Sequence, residues 1–252
     1  MLQLLQGGVK ATYNIDSHLA AIVRALLDAG MGIKLHPDPE AYRDFAKANE
    51  GHDPATPLDS AFVDISAKNF FWVQILSPER EAVAICAARC LDMPVWRGGL
   101  TRILNDQSFF NRRGALPFAP RMAVHGLNLH GKLGYIGGGW THPQWRRKQL
   151  IGLAVQFAQA TLVKSFRADH TFGFVRPKHI PLALSATGYG FCAAARAAVP
   201  YCLGTGFPEE LYLAHAPRQS LLERYSEMPQ YTVTEQPIHS TRAKILEKNI
   251  TG

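Results

Sequence analysis

Arg146, Arg147 and Lys148 follow Gly139-Trp140-Thr141-His142-Pro143-Gln144-Trp145 and precede Leu150, where apolar residues take up helical spacing. The first N–H groups of a helix have no partner inside it, and they lie at the positive end of its dipole. A basic turn leading into that end adds mobile cations to the same spot, a combination suited to gripping phosphate. Gly134, Gly137, Gly138 and Gly139 lie in the strand-like run just before it. Glycine weakens a strand unless a bulge or a close backbone approach needs it, so this run is either a bend or backbone lying against a ligand. No Gly-Lys-Ser/Thr follows, which excludes a P-loop, and the spacing is not that of Gly-x-Gly-x-x-Gly. Proton chemistry has candidates nearby: His142 and His179, with an unperturbed pKa of about 6.5. Glu79 and Glu81 fall in a turn and read as solvated.

The elements that must position these residues follow from periodicity. Residues 17–29 and 38–48 read as helices, the first stopped by Gly30 and the second opened by Asp38-Pro39-Glu40. Strand-like runs occupy 61–65, 70–76 and 82–91, the last two forming an antiparallel hairpin about Ser77-Pro78-Glu79-Arg80. A strand at 133–140, a long buried helix at 150–166, a strand at 171–175 and a short helix at 180–187 follow. Runs at 194–203 and 210–215 read as a final antiparallel pair. The chain is thus expected to be one domain over 1–252. Within it, 1–56 holds the N-terminal helices, 93–120 an insertion or lid with Trp96, Phe109 and Phe110 as pocket candidates, and 217–252 a polar C-terminal extension of surface helix and tail.

With 252 residues, 47% of them hydrophobic and 19% charged, the chain can bury a sizeable core. No apolar run approaches the roughly 20 residues of a membrane span, and residues 1–8 lack the basic start of a signal peptide. The expectation is a cytoplasmic chain with no membrane contact. Cys86, Cys90, Cys192 and Cys202 form no Cys-x-x-Cys pair, so no metal is expected and all four read as buried, reduced thiols. The net charge of +7 invites a nucleic-acid reading, but the bases are scattered and not interleaved with aromatics, which argues against one.

The order hairpin, strand, basic turn, long helix, strand, helix, Gly-Phe, two strands resembles the GNAT superfamily of acyl-CoA-dependent N-acyltransferases. His142-Pro143-Gln144-Trp145-Arg146-Arg147-Lys148 looks like that family's x-Pro-x-aromatic-Arg-x-Lys lead into its cofactor loop. Residues 183–191 look like its last helix, ending in Gly190-Phe191. The likeness spans roughly 70–216. It implies an α/β fold, with a mixed, mostly antiparallel central sheet flanked by helices. It implies acetyl-CoA or another acyl-CoA as co-substrate and no metal. The pyrophosphate would be held along the stretch from Arg146 through Arg147, Lys148, Gln149, Leu150 and Ile151 to Gly152. Gly139, Trp140 and Thr141 would line the pantetheine arm, and His179 falls where the family often has a cofactor-facing Asn.

The implied reaction is direct attack of a primary amine, small-molecule or peptide, on the thioester. A backbone N–H polarises the carbonyl, a base takes the amine proton and an acid protonates the leaving thiolate. The sequence departs from the family pattern at Gln149 and Ile151, where two glycines are usual. Sliding the register by one residue recovers Gly152 but puts Leu150 at the other position. Ala186 stands where the family often has its thiolate-protonating Tyr, and Tyr189 lies three residues on. His179 and Tyr189 are the catalytic candidates. The strand at 133–140 offers only Tyr135 as a titratable group, and a water chain is an alternative to a side-chain base. These departures keep a second reading open, a catalytically degenerate GNAT-like protein that binds acyl-CoA. A third, with aminoacyl-tRNA as acceptor, predicts RNA binding that falls steeply with salt. A two-fold homodimer is the default assembly.

Overall fold

The computed structural model describes residues 2–50, 56–60, 65–93, 129–199, 209–226, 231 and 233. Among these described residues seven strands form one sheet: β1 (Gly32–His36), β2 (Phe70–Leu76), β3 (Ala82–Met93), β4 (Gly131–Thr141), β5 (His170–Val175), β6 (Ala193–Val199) and β7 (Glu209–Pro217). Their order is β1-β2-β3-β4-β5-β7-β6. Every neighbouring pair is antiparallel except β4 with β5. The helices are α1 (Leu2–Asp28), α2 (Pro39–Glu50), α3 (Leu150–Ser165), α4 (Ile180–Leu184) and α5 (Arg218–Ser226). This is the mixed, mostly antiparallel sheet flanked by helices that the resemblance implies.

Side chains alternate across the sheet with the period of two that a strand imposes. Phe71, Val73 and Ile75 of β2 enter the cluster shared with α1, α3, α4 and α5, where Ile22, Leu153, Ala183 and Leu221 are buried. Phe70 and Trp72 enter a second cluster on the opposite face with Tyr42 of α2, Leu58, Tyr135 and Phe172. A sheet covered on both faces explains why β2 and β3 read as nearly unbroken apolar runs.

Four expectations need correction. The strand β1 lies between the two N-terminal helices and pairs with β2 from Gly32↔Leu76 to His36↔Trp72. Its five residues are half-buried or exposed at a sheet edge, so GIKLH carries no alternation to betray it. The first helix begins at Leu2, not at 17, while Gly30 closes it as expected. Gly30 has φ +72°, and the N–H groups of Gly30 and Met31 donate back to Leu27 O and Leu26 O at 2.9 and 2.8 Å. The stretch after 217 opens with the expected surface helix, α5, but it is not polar all round: Gln219, Glu223 and Ser226 are exposed while Leu221 and Tyr225, one turn apart, are fully buried. Cys192 is exposed, whereas Cys86 is buried and Cys90 half-buried.

Most of the 93–120 insertion, with Trp96, Phe109 and Phe110, lies outside the described residues, as do 61–64 and Cys202. Among the described residues no helix is long and apolar enough to cross a membrane.

Candidate active site

The parallel pair breaks early. β4 pairs with β5 only over Leu133–Tyr135 against His170–Phe172, and the two strands part beyond it. At the parting, a Cβ on Gly173 would stand 2.7 Å from the Ile136 carbonyl oxygen, room that only glycine leaves. On its other edge β4 stays paired with β3 through Thr141. The register slips once: Ala87 faces Gly137 but Ile85 faces Trp140, so Gly138 and Gly139 bulge opposite Cys86. Gly138 takes φ +58°. A bulge frees backbone groups from the ladder and bends the strand, and this one lies where β4 has lost its other neighbour. Gly139 is exposed, and Trp140 and Thr141 are half-buried at the strand's end.

From Thr141 the chain turns through the short helix Pro143–Trp145 into α3. Arg146 and Arg147 are exposed, and the Lys148 ammonium lies 4.8 Å from the centre of the Trp145 ring. Arg147 and Gln149 both have left-handed backbone, with φ +70° and +58°. Residues of that hand within a turn are components of the amide concavities that bind anions. The N-cap residue of α3, Gln149, makes no side-chain cap hydrogen bond, so its own amide does not compete for the N–H groups of Leu150, Ile151 and Gly152. Gly152 itself is buried, and a Cβ there would stand 2.9 Å from the Gly188 carbonyl oxygen. The requirement for glycine at 152 is therefore contact with the turn after α4.

Gln149 occupies a position where glycine is the comfortable residue, and left-handed backbone costs an ordinary residue about 1–2 kcal/mol. Gln149→Gly is therefore expected to stabilise the fold by about 0.5–1 kcal/mol in urea unfolding, after the entropy glycine adds to the unfolded chain. A loss of stability would show that the Gln149 side chain makes good that strain.

His179 precedes the five-residue α4 as its N-cap, and Tyr189 lies in the turn after it, its N–H donating back to Leu182 O at 2.9 Å. His179 is half-buried, and burial, with Lys178 and Arg176 close by, lowers its pKa below the usual 6.5. It is neutral at pH 7 and able to accept a proton. Tyr189 is packed among the residues of the α3-side cluster, which also holds Cys86 and Ile136. Burial first, then the Cys86 thiol, raises its pKa and keeps the phenol protonated. Ala186 is exposed and brings only a methyl group to the position it fills. His142 is half-buried and its backbone N–H extends the β3 ladder, donating to Val83 O at 2.8 Å.

Two residues that sequence reading passed over converge here. A Cβ on Gly138 would lie 1.8 Å from the Tyr42 hydroxyl oxygen, so α2 presses a phenol directly onto the bulge. Gln156 is buried in α3 and donates to Ala186 O and Gly188 O at 3.0 and 2.6 Å. The signal for Gln156 was present: it is a polar residue in a helix otherwise apolar nearly all round. Tyr42 carried none, since an aromatic on an amphipathic helix reads as core. Among the described residues no group of three or more His, Cys, Asp or Glu is placed to hold a metal ion.

No family model and no curated protein matches the sequence. Among solved structures, the chain is similar to Arabidopsis thaliana NAA60 in complex with acetyl-CoA, 8% identical, covering 74% of this chain and 98% of that one at a TM-score of 0.42. It is similar to the ribosomal-protein-S5-alanine acetyltransferase of Vibrio fischeri, 12% identical over 75% and 93% of the two chains, TM-score 0.41. Spermidine N-acetyltransferase of Vibrio cholerae is 7% identical over 76% and 97%, TM-score 0.45. At these identities and scores no activity passes from them to this chain.

Proposed function

We propose that the protein is an acyl-CoA-dependent N-acyltransferase acting on a primary amine, small-molecule or peptide. One observation carries this reading: β4 and β5 part, and β4 leads into a basic helix N-terminus whose N-cap residue, Gln149, makes no side-chain cap hydrogen bond. The gap suits an extended arm and the helix end suits a pyrophosphate, and acyl-CoA joins the two chemistries in one molecule. Arg146 and Arg147 supply charge to the phosphates, and the amides from Gln149 to Gly152 supply directed donors. Gly139, Trp140 and Thr141 border the arm. A β4 N–H freed by the bulge polarises the thioester carbonyl. The amine nitrogen forms the new bond to the acyl carbon and the carbon–sulfur bond breaks. Neutral His179 takes the amine proton, directly or through water, and Tyr189 gives a proton to the departing thiolate. The products are the amide and free coenzyme A.

Gln149, Ile151 and Ala186 favour the second reading, an acyl-CoA-binding protein without turnover. Calorimetric titration tests both. Acetyl-CoA is expected to bind in the micromolar range, about −8 kcal/mol, and Arg146→Ala to weaken it about tenfold, or 1.4 kcal/mol. Release of free thiol on addition of an amine separates enzyme from binder. No binding of any CoA species would overturn both readings.

A further inference from the structure

Within the turn at 185–190, Gly188 N–H and Gly190 N–H donate to Ser185 O at 3.1 and 3.0 Å, and Tyr189 N–H ties the turn back to Leu182 O of α4 at 2.9 Å. Those bonds join the turn to α4. Three further contacts join it to α3 and α5. Gly152 lets α3 approach the Gly188 carbonyl closely. Arg224 of α5 donates to Gly190 O. Gln156, one helical turn beyond Gly152, donates to Ala186 O and Gly188 O.

Gln156 is itself held. Its Oε1 accepts from the Tyr231 hydroxyl, which lies 3.3 Å from His18 Nδ1. Tyr231 has one proton to give and gives it to Gln156, so His18 must donate from Nδ1. That requires only a neutral imidazole of that tautomer, and burial with Arg224 nearby lowers the His18 pKa to about 3. The His18 ring is pinned by stacking on Tyr225 at 3.9 Å. The bonds therefore run in one direction, from α1 through Tyr231 and Gln156 to the two turn carbonyls, an arrangement in which each bond polarises the next. Every polar atom of the Gln156 amide group is used. Two residues beyond Tyr231, Val233 lines a cavity of about 280 Å³ with Met31, Trp145 and Lys148. The same stretch of chain thus reaches the phosphate turn.

We propose that Gln156, held by Tyr231, is a positioning residue for acyl transfer: it fixes the turn at 185–190 and with it the Tyr189 phenol. The proposal rests on the acyltransferase reading, and its test is arranged to separate the two. Tyr231→Phe removes one hydroxyl and keeps the ring, while Gln156→Leu removes the whole relay. Protein labelled with 3-fluorotyrosine gives a 19F resonance for Tyr189, assigned by its loss in Tyr189→Phe. That resonance is expected to shift or broaden in both variants, whatever the activity. In turnover, both are expected to lose kcat about tenfold with KM for acetyl-CoA within about twofold, and to add nothing to the loss in Tyr189→Phe, as coupled residues do. An unmoved Tyr189 resonance in Tyr231→Phe, or kcat losses that multiply with Tyr189→Phe, would overturn the proposal. A parent protein that binds no acetyl-CoA would overturn the acyltransferase reading, and the resonance would still decide whether Gln156 positions Tyr189.

Discussion

Tyr189→Phe is expected to lower kcat about 100-fold, close to 2.7 kcal/mol of barrier, with the acetyl-CoA dissociation constant within about twofold of the parent. The phenylalanine ring keeps the packing of Tyr189 against the α3-side cluster, so the substitution removes one hydroxyl and little else. Burial raises the Tyr189 pKa, so the group enters the reaction protonated, and a thiolate leaving the acyl carbon needs a proton at that moment. An acid supplied in the transition state changes kcat, whereas a group that only binds the arm changes affinity. Steady-state kinetics beside calorimetry therefore separates the two roles. A kcat within about twofold of the parent would mean that water protonates the thiolate and that Tyr189 is core.

The proposal of Tyr189 as the acid could be read from the sequence only as a displacement, because Ala186 fills the usual position and a helix end does not say where it aims. The ordered elements were far more legible. β2, β3, α3 and β5 are long or strongly periodic, and each lies within a few residues of its expected span. β1 was lost because an edge strand buries too little to show a pattern, and the buried face of α5 because two buried residues among nine do not outweigh RQSLLERYS. The phosphate turn was visible because strand, bases and helix adjoin in sequence. Its departures from glycine also turned out to mean different things. Gln149 adopts the left-handed backbone that glycine would find easy, while Gly152 is kept free of a side chain by the turn after α4. The bulge was half legible. Consecutive glycines said that the strand deforms, but not which of them turns left-handed; that one, Gly138, lies against Tyr42, nearly a hundred residues away.

Gly138→Ala tests whether Tyr42 sets the bulge and is expected to destabilise the protein by about 2–5 kcal/mol. Two costs combine: about 1–2 kcal/mol for placing a Cβ at φ +58°, and about 1–3 for forcing an atom into packed space. The new methyl would meet the Tyr42 hydroxyl oxygen at 1.8 Å, its ring carbon at 3.0 Å and Leu58 Cδ1 at 3.4 Å. Tyr42 is 1% exposed and wedged between Phe70 and Trp72, each 5.8 Å away between ring centres, so it cannot swing aside. Tyr42→Phe takes away the atom that makes the worst contact. In the double variant the loss from Gly138→Ala is therefore expected to shrink by about 1 kcal/mol, a coupling well above the error of urea unfolding. Additive losses would mean that the strain is all backbone and that α2 does not set the bulge. With coupling present, the helix on one face of the sheet and the opened strand beside the phosphate turn behave as a single unit. On the proposed acyltransferase reading, a change in α2 that touches no proposed phosphate contact would then still reach the thioester carbonyl through β4.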